Sequence, residues 1–194
     1  MIEALILLFV VALDQITKQA AVQLLRPIGE YKLWENVFHL TYAQNQGAAF
    51  SILQNQRWIL IGVTSVACLA LLVYLAVYYR KLSPWIRTSI TLIVAGGVGN
   101  LIDRTLHGYV VDFFYFVPIN FPIFNVADIA AVTGCIMMMV WVLFVKRDLP
   151  LLGGQVPRQA AVPMAEYPPP QAEMPAQESA EDADLSRSGE NTNG

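Results

Sequence analysis

Asp112 and Asp128 are the residues of this chain best suited to do chemistry, because each is a lone carboxylate in an otherwise apolar stretch. Asp112 sits within Tyr109-Val110-Val111-Asp112-Phe113-Phe114-Tyr115, and Asp128 lies one turn into an apolar run that Asn125 opens. Two aspartates brought close together cannot both ionise readily, since like charge raises one pKa of the pair. The shared proton leaves one carboxylate to activate water and the other to protonate a carbonyl or a leaving amine. Such hydrolysis needs no metal and no cofactor. The two histidines, His39 and His107, cannot supply a conventional zinc site, and the chain has no HExxH. No serine or cysteine has an evident histidine base. Cys68 and Cys135 each fall in mid-run among apolar residues, which argues against a disulfide framework and against a redox CxxC.

Further polar residues occur where apolar spans are expected, and an ionisable group there is a functional candidate by default. Asp14 and Lys18 are four apart and share a helical face. Asn100, Asp103 and Arg104 fall within about one turn. Each set also has a structural reading. Asp14 with Lys18 can lock the first helix to its neighbours, and Asp103 with Arg104 can satisfy each other or hold a loop. Asn125 can be an N-cap with its amide otherwise unused. Gly96-Gly97-Val98-Gly99 reads most simply as close packing of small residues between helices. For Asp112 and Asp128, hydrolysis, an ion pathway and a buried structural network all stay open on these grounds. A proton relay would spread acidic groups through the membrane depth, and a non-catalytic lipid-binding scaffold would tolerate loss of Asp112.

The elements that must position these groups are membrane helices. Of 194 residues, 56% are hydrophobic and only 14% charged. Four segments reach the length of about 20 mostly apolar residues that a crossing helix needs: 2–25, 57–79, 88–106 and 125–145. The first lacks a basic start, and Asp14 and Lys18 occupy the place of a cleavage site, so it reads as a retained helix. Three basic residues in Arg80–Arg87 and the pair Lys146-Arg147 mark the cytoplasmic side; His107–Phe124 has no Lys or Arg. Both termini are therefore expected in the cytoplasm, with Arg104, Asp112, Asn125 and Asp128 near the outer leaflet. Tyr31–Tyr42 is rich in aromatic and β-branched residues, with Asn36 and Gly47 as turn signals, so a small β-structure is expected between the first two helices. From Leu149 the chain holds seven acidic against two basic residues and seven of the eleven prolines. A disordered acidic cytoplasmic tail is expected over 149–194, beyond a four-helix membrane domain at 1–148. The first 148 residues carry a net charge of +2 with no long basic run, so nucleic acid is not an expected partner. The expected class is an all-α membrane protein with four transmembrane helices.

Five blocks, in order on this topology, resemble the lipoprotein signal peptidases (signal peptidase II), a family of bacterial membrane aspartic peptidases. They read Asp14-Gln15-Ile16-Thr17-Lys18, Gln44-Asn45-Gln46-Gly47-Ala48-Ala49-Phe50-Ser51, Gly96 to Arg104, Val110-Val111-Asp112-Phe113 and Phe124-Asn125-Val126-Ala127-Asp128. The resemblance implies cleavage of diacylglyceryl-modified prolipoproteins immediately before the lipidated cysteine, in the bacterial inner membrane and without a cofactor. It implies Asp112 and Asp128 as the catalytic pair. Asp14, Lys18, Asn45, Gly47, Asn100, Asp103, Arg104, Asn125 and Ala127 are implied to bind substrate or support the site. Membrane lipids are the other expected partners, and a monomer is the expected state. Phe121-Pro122-Ile123-Phe124 departs from the Trp-Pro-Ala-Phe that many relatives carry, which bears on contacts from this outer loop to substrate.

Overall fold

A computed structural model of the chain describes residues 1–47, 54 and 56–144. The expected tail at 149–194 lies outside these residues, as do Ala48 to Ser51 of the second block. Among the described residues, four helices are long and apolar enough to cross a membrane. They are α1 (Ile2–Ala20, extended by a wider π-type turn Ala21–Leu25), α2 (Arg57–Tyr78), α3 (Pro84–Leu106) and α4 (Val126–Phe144). Three strands, β1 (Glu30–Trp34), β2 (Phe38–Asn45) and β3 (Val110–Phe116), form one antiparallel sheet in that order.

Helix α3 is the least apolar of the four and the most buried, with α1, α2 and α4 packed around it. Small residues make that possible, since association within a bilayer relies on close van der Waals contact. A Cβ on Gly96 would strike the carbonyl oxygen of Ala127, and one on Gly97 would lie 2.5 Å from Cys68 Sγ. From the α4 side, a Cβ on Gly134 would come within 2.6 Å of the Ser89 carbonyl oxygen. Ser83 caps α3, its hydroxyl accepting from the Ile86 N–H at 3.4 Å, with Pro84 at the first position where a missing N–H costs nothing. At the opposite end Gly108, at φ +87°, turns the chain out of α3 directly into β3.

The small β-structure expected between the first two helices is present as β1 and β2, and the sheet is larger than expected by one strand. The turn between β1 and β2 does carry Asn36 in the left-handed region, at φ 58°. The third strand comes from the α3–α4 connection, where it pairs Ala43 with Asp112 and Asn45 with Val110. Val110–Phe116 has the β-branched and aromatic composition that favours strands. Its first four residues are all buried, so the apolar–polar alternation that would advertise a strand is missing. Helix ends differ slightly from expectation as well: α3 begins at Pro84 rather than at 88.

At the other end of the bundle, Glu3 is buried, which the sequence reading did not anticipate. Its carboxylate accepts from the Tyr79 hydroxyl at 2.8 Å and lies 3.2 Å from Arg87 Nε. The guanidinium of Arg87 stacks on Tyr79 at 4.5 Å, tying the start of α1 to the α2–α3 turn. Because overpacking against backbone cannot relax, Gly134→Ala is expected to destabilise the bundle by about 1–3 kcal/mol. Gly62→Ala, where a Cβ meets nothing within 4 Å, should be neutral or slightly stabilising. Thermal unfolding of the two variants in detergent checks the contrast.

Candidate active site

Five elements, α1, β2, α3, β3 and α4, meet at the sheet end of the bundle, and each contributes polar side chains. The innermost is Lys18 of α1, only 2% exposed, as is Asp103, while Asp14 is fully buried. The ammonium contacts Asp14 Oδ2 at 2.9 Å, Asp103 Oδ2 at 3.1 Å and Asn100 Oδ1 at 2.9 Å. Three N–H donors thus meet three acceptors, which is the full capacity of a lysine. Asp14 also accepts the Ala127 N–H of α4 at 2.9 Å, and Asp103 accepts the Val111 N–H of β3 at 3.1 Å. Gly99 leaves room for this cluster, since a Cβ there would lie 2.6 Å from Asp14 Oδ2. Asp103 and Arg104, adjacent in sequence, serve different partners: Arg104 donates to the Gly47 carbonyl at 2.8 Å.

Asn125 does more than cap α4. Its Oδ1 accepts the Asp128 N–H at 2.9 Å, while Asp128 Oδ2 accepts the Asn125 N–H at 3.2 Å. This reciprocal pair is a capping box, and it satisfies one of the orphan donors at the start of the helix. The Asn125 amide, expected to be unused if the residue were merely a cap, donates to Asp112 Oδ1 at 2.6 Å. Asn45 at the end of β2 donates to Asp112 Oδ2 at 3.0 Å, and its own Oδ1 accepts from the Gly47 N–H at 2.9 Å. Asn100 donates to Asp128 Oδ1 at 2.8 Å.

Asp112 and Asp128 line one cavity of about 290 Å³, together with Asn45, Asn100 and Arg104. Its other walls are apolar: Val110, Ala131, Val132 and the whole run Phe121-Pro122-Ile123-Phe124. Phe124 is fixed by pairing with Phe114 of β3, and Phe121 packs edge-on against it with ring centres 5.6 Å apart. Burial, and then the charge of Asp128, push the Asp112 carboxyl up to about 7; the hydrogen bonds from Asn45 and Asn125 pull the other way. A carboxyl poised there can exchange a proton near neutrality.

Of the residues singled out from sequence, Asp112, Asp128, Asn45, Asn100 and Arg104 face the cavity. Asp14, Lys18, Asp103, Asn125, Gly47 and Ala127 lie behind those that do, joined to them by the hydrogen bonds above. Gln15 was quoted in a motif but not assigned to the site. Its amide donates to Asp103 Oδ1 at 3.1 Å and to the Gly99 carbonyl at 3.2 Å. The sequence signal for it was only its place beside Asp14. The apolar wall was missed too, for nothing in 121–124 marks those side chains as neighbours of Asp112.

Residues 6–144 match the family model described as signal peptidase (SPase) II. The chain belongs to the signal peptidase II family. Among curated proteins, it is 44% identical over 143 residues to the lipoprotein signal peptidase of Streptococcus pneumoniae, covering 73% of this chain and 92% of that one. To the lipoprotein signal peptidase of Clostridioides difficile it is 42% identical over 144 residues, covering 74% and 96%. A solved structure described as a bacterial membrane enzyme superposes with a TM-score of 0.68 at 31% identity, over 75% of this chain and 89% of that one. Membership of the signal peptidase II family and the four apolar helices make the chain a multi-pass membrane peptidase.

The raised carboxyl has a consequence for stability. A group whose pKa is raised by folding favours the fold below its unfolded value, near 4, and that contribution is lost as pH rises through about 7. Asp112→Asn removes the titration. The difference in unfolding midpoint, variant minus wild type, should therefore grow more positive between pH 4 and pH 8, whatever fixed cost the new amide brings. A difference that stays flat across this range would contradict the buried, proton-binding state of Asp112.

Proposed function

We propose that this signal peptidase II family member is an aspartic endopeptidase in which Asp112 and Asp128 share one proton and activate a water held between them. What carries the reading is that two carboxylates from different elements, β3 and α4, line one cavity, each oriented by amide donors. The ionised member takes a proton from water as it attacks the scissile carbonyl. The protonated member donates to the carbonyl oxygen or the leaving amine. Arg104 and Asn45, both on the cavity wall, supply N–H donors for extended substrate backbone.

The substrate class follows from the relatives, which are lipoprotein signal peptidases. It is a diacylglyceryl-modified prolipoprotein, cut immediately before the lipidated cysteine. The half-apolar lining suits a signal segment and acyl chains entering from the bilayer. The Lys/Arg distribution supports both termini in the cytoplasm of the inner membrane and the site at the outer leaflet. In this reading the protein acts as a monomer, residues 1–148 form the catalytic domain, and the acidic tail at 149–194 plays no part in cleavage.

Asp112→Asn and Asp128→Asn are each expected to lower cleavage of a lipid-modified prolipoprotein by about 10²–10⁴-fold or more, with expression unchanged. The assay is reconstituted cleavage with lipid-modified and unmodified substrates side by side. Full activity in either variant would sink the aspartic mechanism, and equal cleavage of the unmodified substrate would sink the substrate assignment.

A further inference from the structure

Beyond the dyad itself, and resting on the aspartic reading, we propose that Lys18 is a positioning residue. It fixes which end of the Asn100 amide faces Asp128, and so confines the catalytic proton to the cavity side of the carboxylates.

The argument is one of donors and acceptors. An ammonium has three N–H bonds and no lone pair. Two of the three from Lys18 go to Asp14 and Asp103, and the third goes to Asn100 Oδ1 at 2.9 Å. Turned over, the Asn100 amide would set its own N–H₂ against an ammonium that cannot accept. The Asn125 amide, donating to the same Oδ1 at 3.1 Å, opposes that flip as well. Asn100 therefore must offer its N–H₂ to Asp128 Oδ1, as it does at 2.8 Å.

The same logic holds at the other two amides. Asn45 Oδ1 is taken by the Gly47 N–H and Asn125 Oδ1 by the Asp128 N–H, neither of which can accept. Each is thus forced to present N–H₂ to Asp112. All four oxygens of the dyad consequently accept an N–H from the protein. A proton bound by the pair must occupy lone pairs left free by these donors, and both carboxylates line the cavity. Two carboxylates already offset the charge of Lys18. Its distinct contribution at the dyad is direction, delivered through Asn100.

A charge-conserving swap separates direction from charge. The double variant D14N/K18Q leaves the buried cluster with one net negative charge, as before. The amide at 18 can donate or accept, so the ammonium's share of the lock is lost and Asn125 alone opposes the flip, while Ala127 N–H keeps an acceptor at 14. Single-turnover cleavage should fall about 10–100-fold, as expected for a misdirected hydrogen bond to a charged group, with KM within about twofold. The acid limb of the pH–rate profile should move to higher pH. The charged groups facing Asp128 are Asp14 and Lys18 from α1, Arg104 from α3, and Asp112 from β3. N100L should cost a similar factor alone and little more in the D14N/K18Q background, because both remove one interaction.

Wild-type kcat and pH profile in D14N/K18Q, or full additivity with N100L, would overturn the proposal. If D14N/K18Q does not fold, the single variant N100L is read alone: leucine cannot donate to Asp128, so undiminished kcat in N100L would overturn the lock. Failure of the aspartic reading would show instead as activity in Asp112→Asn, a result that none of the Lys18 or Asn100 variants can mimic.

Discussion

A single buried ammonium holds the sheet end of this molecule together. Taking Lys18 and two aspartates out of water costs several kcal/mol per ion, and the arrangement survives only because every donor finds an acceptor. Through Asp14 it reaches the first turn of α4, through Asp103 the backbone of β3, and through Asn100 the carboxylate of Asp128. Three helices and a strand are thus brought to one point without any of them presenting a polar face to lipid. Removing one member would leave an uncompensated charge, which is why these residues behave as a unit rather than as separate pairs.

The same hydrogen bonds serve the fold and the cavity. Asp128 closes the capping box that starts α4, so the helix terminus and this cavity-lining carboxylate are one structure. Asn125 links that terminus to Asp112, so the distance between the carboxylates is set by a helix cap and a strand register rather than by flexible side chains. The inner edge of β3 makes no further strand pair at Val111; its N–H goes to Asp103, and Phe113 and Phe114 donate to the Phe124 carbonyl. That closes the cavity with the 121–124 run. Phe121 and Ile123 fall on this wall, on the apolar side of the cavity.

Such a site is arranged against stability as well as for it. Asp112, 2% exposed and close to Asp128, is held where its charged form is disfavoured. Burial and like charge raise its proton affinity while two amides restrain the rise, a balance that suits the proton exchange of the proposed mechanism. The rigid packing of α3 through its glycines resists relaxation that would relieve this tension.

The four spans, the isolation of the carboxylates and the Asp14–Lys18 pairing were legible from the chain alone. Each depends on local rules: run length against bilayer thickness, the cost of charge in lipid, and four-residue helical spacing. The third strand was not legible, because burial of Val110 to Phe113 erased the alternation that marks a strand. Nor was the division of labour between Asp103 and Arg104, neighbours in sequence that turn to Lys18 and Gly47. Sequence by itself marked Asp14, Lys18, Asp103, Asp112 and Asp128 as groups that had to be buried and paired, though not Glu3. Only the tertiary structure decided who pairs with whom, because the partners of Asp14, Asp103 and Asp112 lie on other elements, and hydrogen-bond direction is settled by the donor-only or acceptor-only group at the far end of each contact.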